Sequence, residues 1–518
     1  MQLVLPPGIT ERVFEQALDD FRAVLGNEWV FATDQDRETY LDHFATDISA
    51  HVSAAAVAPI SVEEIQAIVR IANERKIPLW PISRGKNFGY GSAAPVLSGS
   101  VVLDLSRMKK IEMDVDKGTV LLEPGVGFYD LFDYVEANDV PYWISPIGNS
   151  WGSVAGNALD RGVGYTPYGD HAARINGMEV ILPDGDLVRT GMGAMSNSPS
   201  WQIHPYGFGP HWDQMFVQSN FGIVTKLGMW LMPEPESIVR LDMELDKADD
   251  LGWAIDTLAP MRRSGLLQQS PSLGNWLRAA AVLTERDEWY DRPGALPDEV
   301  IDAIRARFGL GWWSVNLRLY GHADITRATA KVIKDSFAAR TSYAMREGFW
   351  TTGMPREVEP FAGVPITFPL ANAGWHRGRG AHLGFSPALP QDGDLALAQF
   401  HRTYARYREF GMDYHGSFAL GERHITNVNQ VLFDRDDAGM VKRVDQFFRA
   451  LVDDARQQGY GEYRAHIQYM DLISDSYNFN DHALRRLNEK VKNALDPNGI
   501  LAPGKTGIWP EAYKGGRA

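Results

Sequence analysis

Residues 81–93 read PISRGKNFGYGSA and follow directly on the apolar stretch KIPLWPI (76–82). Three glycines, a lysine and an asparagine after a buried strand offer unhindered backbone amides, and consecutive amides form a concave site for an anion such as phosphate. The segment fits neither common nucleotide motif. A P-loop requires Ser or Thr after the lysine, where this chain has Asn87. A dinucleotide fingerprint opens a helix, whereas GKNFGYGSAAP runs into Pro95 without helical periodicity. On these residues alone, an anion cradle and a plain turn between strands remain equally open.

Upstream, SVEEIQAIVRIANER (61–75) begins as a capping box, with Ser61 accepting from first-turn amides and Glu64 reaching back. Ile65, Ile68, Val69 and Ala72 recur at helical spacing, which predicts an amphipathic helix. Strands are expected at 79–82 and 101–105, so the glycine loop connects two strands. GTVLLEPGV (118–126) and MEVILPDGDLVRTG (178–191) add further strands, the latter a hairpin turning at Pro183-Asp184-Gly185. From about 240 the texture changes. RPGALPDEVIDAIRARFGLG (292–311) and AGMVKRVDQFFRALVDDARQQG (438–459) read as long amphipathic helices closed by glycine, with the strand WWSVNLRLYG (312–321) between them. The chain ends in a helix, an Asp-Pro-Asn-Gly turn and an extended tail (481–509). The fold class expected is α+β, and 518 residues exceed one compact core, so length alone leaves two or three domains open, with two the first expectation.

A net charge of −15 repels nucleic acid and anionic membranes, which argues against both as partners. No apolar run reaches a membrane span, and the N-terminus MQLVLPPGITERVFEQ has no secretory pattern. There is no cysteine, which excludes disulfides, thiolate metal sites and cysteine nucleophiles and fits a cytoplasmic protein.

Several short stretches carry chemistry. GNSWG (148–152) matches the nucleophile elbow of serine hydrolases, with Ser150 as nucleophile. Gly156 and Asn157 are expected to interrupt the helix such an elbow needs. No His pair stands four residues apart with a glutamate, and DRDDAG (434–439) lacks the remaining ligands of a calcium loop, so no metal site is expected. GWHRGRGAHLGFSP (374–387) sets His382 between Ala381 and Leu383, where a core histidine is the default. GYGEYRAH (459–466) places Tyr463 beside Arg464, a pair suited either to an oxyanion or to an ordinary surface cluster.

Read in order, SRGKNFGYG, GSVAGNALDRGVGYTPYGDH, SNFGIVTKLG, GAHLGFSP, GEYRAH and DPNGILAPGKTGIW span nearly the whole chain. This series resembles the vanillyl-alcohol oxidase and p-cresol methylhydroxylase family of FAD enzymes acting on 4-substituted phenols, its bacterial eugenol oxidases above all. The resemblance implies a two-domain flavoprotein. A PCMH-type FAD-binding domain would comprise 1–235, completed by 491–518, and an α+β substrate cap would comprise 236–490.

It further implies that Ser83, Arg84, Gly85, Lys86, Asn87, Phe88 and Gly89 surround the FAD pyrophosphate. Gly152, Ser153, Gly156, Asn157, Glu179, Gly222, Ile223, Val224 and Lys505 would line the rest of the cofactor, and GNSWG becomes a flavin-side loop. His382 falls where family oxidases link a histidine to the flavin 8α carbon, whereas methylhydroxylases use a tyrosine elsewhere and pass electrons to a cytochrome subunit. The resemblance therefore implies covalent FAD, a phenolic substrate, O2 as acceptor with H2O2 as product, and a homodimer. A dehydrogenase serving a protein acceptor is the alternative within the family. Tyr90, Tyr463 and Arg464 match the phenol-binding trio, and a cation with two hydroxyl donors favours phenolate over phenol. The chain departs from the family at two points. No carboxylate stands in SPIGNSWGS (145–153), where family oxidases carry an aspartate, and none in TFPLANAGWHRGRG (367–380). An altered pocket and an altered substrate preference are expected.

Overall fold

The computed structural model describes residues 3–516. Three sheets organise it, with a two-strand ribbon beside them. The first runs in the order Val30–Phe31, Ala55–Val57, Val101–Asp104, Leu79–Ile82, and its last three strands are parallel. Helix Val62–Arg75 makes the crossover from Ala55–Val57 to Leu79–Ile82 and buries Ile65, Ile68, Val69 and Ala72, the stripe expected from spacing. Ser61 caps it by accepting from the Glu64 amide at 3.2 Å. The Glu64 carboxylate differs from expectation. It reaches the Ile60 amide at 2.7 Å, one residue beyond the cap. The glycine loop leaves the carboxyl end of Leu79–Ile82, the end of a parallel strand where α/β sheets bind ligands. The chain's tail closes this edge, because Leu79 donates to Ile500 and Ala502 donates back to Leu79.

The second sheet is antiparallel, in the order Ile111–Asp114, Thr119–Leu122, Ile223–Trp230, Ile175–Ile181, Leu187–Arg189. The hairpin at 182–186 forms as expected, with Ile181 opposite Leu187. GSVAGN corrects the sequence reading. Gly156 and Asn157 lie inside a short helix, Val154–Leu159, capped by Ser153. Glycine there is a packing requirement, since a Cβ on Gly156 would come within 2.4 Å of Ser83 Oγ.

The third sheet has eight strands, all antiparallel, from Met345–Thr351 at one edge through Ser237–Leu245, Trp313–Gly321, Ser272–Asn275, Gly416–Leu420 and His424–Asp434 to Gly380–Phe385, with Ala388–Pro390 also paired to His424–Asp434. Side chains alternate between its faces. Leu241, Leu317, Leu273, Phe418, Val431, Ala381 and Leu383 point one way and pack under helices Asp250–Arg263, Gly393–Glu409 and Ala438–Gln457 in one fully buried core. Each such leucine removed from water contributes about 2 kcal/mol. His382, Gly384, Val428 and Ser417 therefore point the other way, and that face lines the site.

Candidate active site

A cavity of about 870 Å³ runs between the glycine loop, the second sheet and the open face of the large sheet. It is at the upper end of the ~300–1,000 Å³ typical of ligand sites. The glycine loop forms one wall. Gly85, Gly89 and Gly91 hold φ of +62°, +78° and +118°, which only glycine adopts without strain. Asn149 donates to the Lys86 carbonyl at 2.7 Å and pins the loop. Asn87 and Lys505 both reach Asp160, at 3.4 and 3.1 Å, so the tail lysine is fixed beside the loop. Arg84 turns its side chain away, to Asp130 at 2.5 Å.

The loop lies directly on strand Gly380–Phe385. A Cβ on Gly89 would come within 2.6 Å of the His382 ring, and one on Gly384 within 2.3 Å of the Tyr90 hydroxyl. Two glycines on opposite segments thus allow the approach. His382 is buried, its Nδ1 has no hydrogen-bond partner, and burial lowers its imidazole to about 4, so it is neutral. Close by, Asp42 and His466 form a fully buried pair at 2.6 Å. Burial would raise Asp42, but His466 and Ser92 outweigh it and hold the carboxyl below its ordinary value. The Gln468 amide donates to His466 Nδ1, so Nε2 carries the proton toward Asp42.

On the far side, segment 461–467 is tied down by its backbone. Ala388 donates to Gly461, Gln218 donates to the Tyr463 carbonyl, and Ile467 donates to the Tyr90 carbonyl. This brings Arg464 over the Tyr90 ring, its guanidinium carbon 3.9 Å from the centroid and 5.7 Å from that of Tyr463. Burial would lower Arg464, yet Tyr90 and Tyr463 outweigh it and keep the guanidinium charged. Burial pushes Tyr463 up to about 12 against the opposing charge of Arg464, so it is a neutral donor. Glu462 accepts from the Ser386 amide at 2.6 Å, and burial raises its carboxyl well above the ordinary range.

A model of the FAD binding domain matches residues 53–191, and one of the C-terminal domain of FAD linked oxidases matches 400–506. The 4-cresol dehydrogenase (hydroxylating) flavoprotein subunit of Pseudomonas putida is 36% identical over 513 residues, 98% of each chain. The chain belongs to the p-cresol methylhydroxylase family. Solved structures agree. 4-Ethylphenol oxidase from Gulosibacter chungangensis, in complex with isoeugenol, superposes with a TM-score of 0.94 at 34% identity, covering 99% of this chain and 100% of that one. p-Cresol methylhydroxylase with substrate bound gives 0.94 at 36%, covering 98% and 99%.

As a member of this family the protein is a two-domain FAD-dependent oxidoreductase, and its residues fit the cofactor. The unpartnered Nδ1 of His382, the unpartnered Nε of Arg464 and the glycine amides all meet at one cavity. Ser83 to Phe88, Tyr90, Gly152, Ser153, Gly156, Asn157, Gly222, Ile223, Val224, His382, Tyr463, Arg464 and Lys505 line it. Glu179 does not. It is buried in strand Ile175–Ile181, where Arg189 and Thr225 take its carboxylate. Ser150 has no general base. Its hydroxyl donates to the Ile147 carbonyl and accepts from the Ile366 amide. That arrangement is structural, and the hydrolase alternative falls. Among the described residues no cluster suits a metal ion, and no helix is long and apolar enough to cross a membrane.

Asn157 bonds His171, whose imidazole burial lowers to about 4. In the unfolded chain His171 titrates near ~6.5, so between these values the unfolded state binds the extra proton. Stability is therefore lost as pH falls through that window, by about 2 kcal/mol for this residue between pH 7 and 5. Melting temperatures of the holoenzyme across that range should fall less steeply in His171→Gln. Equal slopes would contradict a neutral buried histidine.

Proposed function

We propose that the protein oxidises para-substituted phenols, 4-alkylphenols and eugenol- or vanillyl-alcohol-like compounds among them, at the carbon attached to the ring. The observation that carries this is Arg464 stacked 3.9 Å over Tyr90 with Tyr463 beside it, a charged and hydroxyl-bearing corner at one end of the cavity. A cation and two hydroxyls in a water-poor pocket stabilise phenolate. The phenolate pushes electron density through the ring and loosens a hydride on the carbon attached at the para position, leaving a quinone methide. FAD, when bound, supplies the hydride acceptor. The names of the relatives, 4-cresol dehydrogenase and 4-ethylphenol oxidase, support the substrate class.

His382 is the residue suited to holding FAD covalently, since it is neutral, buried and has a free ring nitrogen. The loop 145–153 contributes no carboxylate base for water attack, and the backbone occupies the Ser150 hydroxyl. The FAD-binding part is assigned to 1–235 with 491–518, and the cap to 236–490. The acceptor is O2, on the strength of the linking histidine. With 4-ethylphenol and no mediator, an oxygen electrode should record uptake, and peroxide should form one for one with product. Turnover seen only with a dye or a cytochrome would move the acceptor to a protein. No turnover with any phenol would end the reading.

A further inference from the structure

The cavity extends beyond the phenol corner along the open face of the large sheet. Strand register gives the path. Gly384, beneath the Tyr90 hydroxyl, pairs with Gln430 on His424–Asp434, and two residues back along that strand Val428 pairs with Ser417. Two strand spacings and a two-residue step separate Gly384 from Ser417 by roughly 12 Å. That is about the length of a phenol carrying a short acid chain.

At that far end Arg278, on helix Trp276–Leu283, lines the cavity and donates from Nη1 to Ser417 Oγ at 2.5 Å. Other half-buried or buried arginines here meet carboxylates, as Arg286 does with Asp413, Arg318 with Asp242, and Arg406 with Asp454. Arg278 has no carboxylate partner among the described residues. The acids that line the cavity are committed elsewhere, Asp160 to Lys505 and Glu462 to the Ser386 amide. A guanidinium drawn out of bulk water without a counter-ion is costly unless a ligand supplies one. One charge with a flanking hydroxyl suits a carboxylate. His415, two residues before Ser417, is buried with both ring nitrogens unpartnered, and an imidazole supplies no counter-charge to Arg278.

We propose that Arg278 and Ser417 form a carboxylate subsite, so that the preferred substrates are 4-hydroxyphenyl alkanoic acids, bound with the phenol at Arg464 and the acid at Arg278. This rests on the phenol-oxidising reading, and the test separates the two. The holoenzyme would be given 3-(4-hydroxyphenyl)propanoate, its primary amide and 4-propylphenol, with flavin reduction followed anaerobically and binding measured by calorimetry. The acid should exceed the amide in kcat/KM by about thirtyfold, the effect of a charge-assisted hydrogen bond. Arg278→Met should collapse the acid-to-propylphenol ratio by a similar factor, and Arg278→Lys should restore part of it. An acid-to-amide ratio near one, or a ratio that Arg278→Met leaves within threefold, would overturn the subsite. If no phenol reduces the flavin, the functional reading fails on its own. Calorimetry then decides the subsite. Acid binding that Arg278→Met abolishes supports it, and absence of acid binding in the unmutated enzyme overturns it.

Discussion

Replacing Arg464 with alanine is expected to slow substrate-driven flavin reduction about a hundredfold, equivalent to ~3 kcal/mol of transition-state stabilisation. The size follows from its surroundings. The guanidinium is stacked on Tyr90 and stays charged despite burial. Its charge is therefore available to a phenolate. Tyr90→Phe and Tyr463→Phe each remove one hydroxyl and should cost less, about tenfold. Single-turnover reduction is the right readout, because it isolates the step from reoxidation. A loss confined to KM would show that Arg464 binds phenol and phenolate alike.

The second large effect is all-or-none. Denatured unmutated protein should keep its flavin, visible as a fluorescent band in an acid-soaked gel, and His382→Ala should release it completely. Three features of the histidine support this. It is neutral, its Nδ1 is unpartnered, and Gly89 lets the cofactor loop lie against its ring. The buried Asp42–His466 pair nearby adds an electrostatic frame that fixes segment 461–467 against the N-terminal half. Flavin that washes out of the unfolded unmutated protein would refute the linkage, whatever the activity.

Much of this architecture was legible along the chain because its signals are local. Local patterns located helix Val62–Arg75, the hairpin at 182–186 and the glycine loop, since caps, turn residues and periodicity act over a few residues. The helix through Gly156 and Asn157 escaped because its glycine answers to Ser83, far away in sequence. Glu179 was assigned to the cofactor by likeness, yet strand pairing sets it against Arg189. Arg278, Ser417 and the Asp42–His466 pair escaped altogether. Their meaning depends on which strand lies beside which, and sheet register is set by long-range packing. Only the likeness to a family groups Tyr90, Tyr463 and Arg464. No local pattern brings residue 90 to residue 464, and it takes the backbone bonds of 461–467 to do it.

The central claim is that the enzyme acts on a phenolate, and one comparison tests it most directly. Anaerobic rapid mixing of the holoenzyme with 4-ethylphenol, and separately with its methyl ether, reads flavin bleaching under identical conditions. The phenol should bleach the flavin within seconds, whereas the ether, which has no ionisable hydroxyl, should leave it oxidised. Equal bleaching rates for the two would contradict the phenolate mechanism.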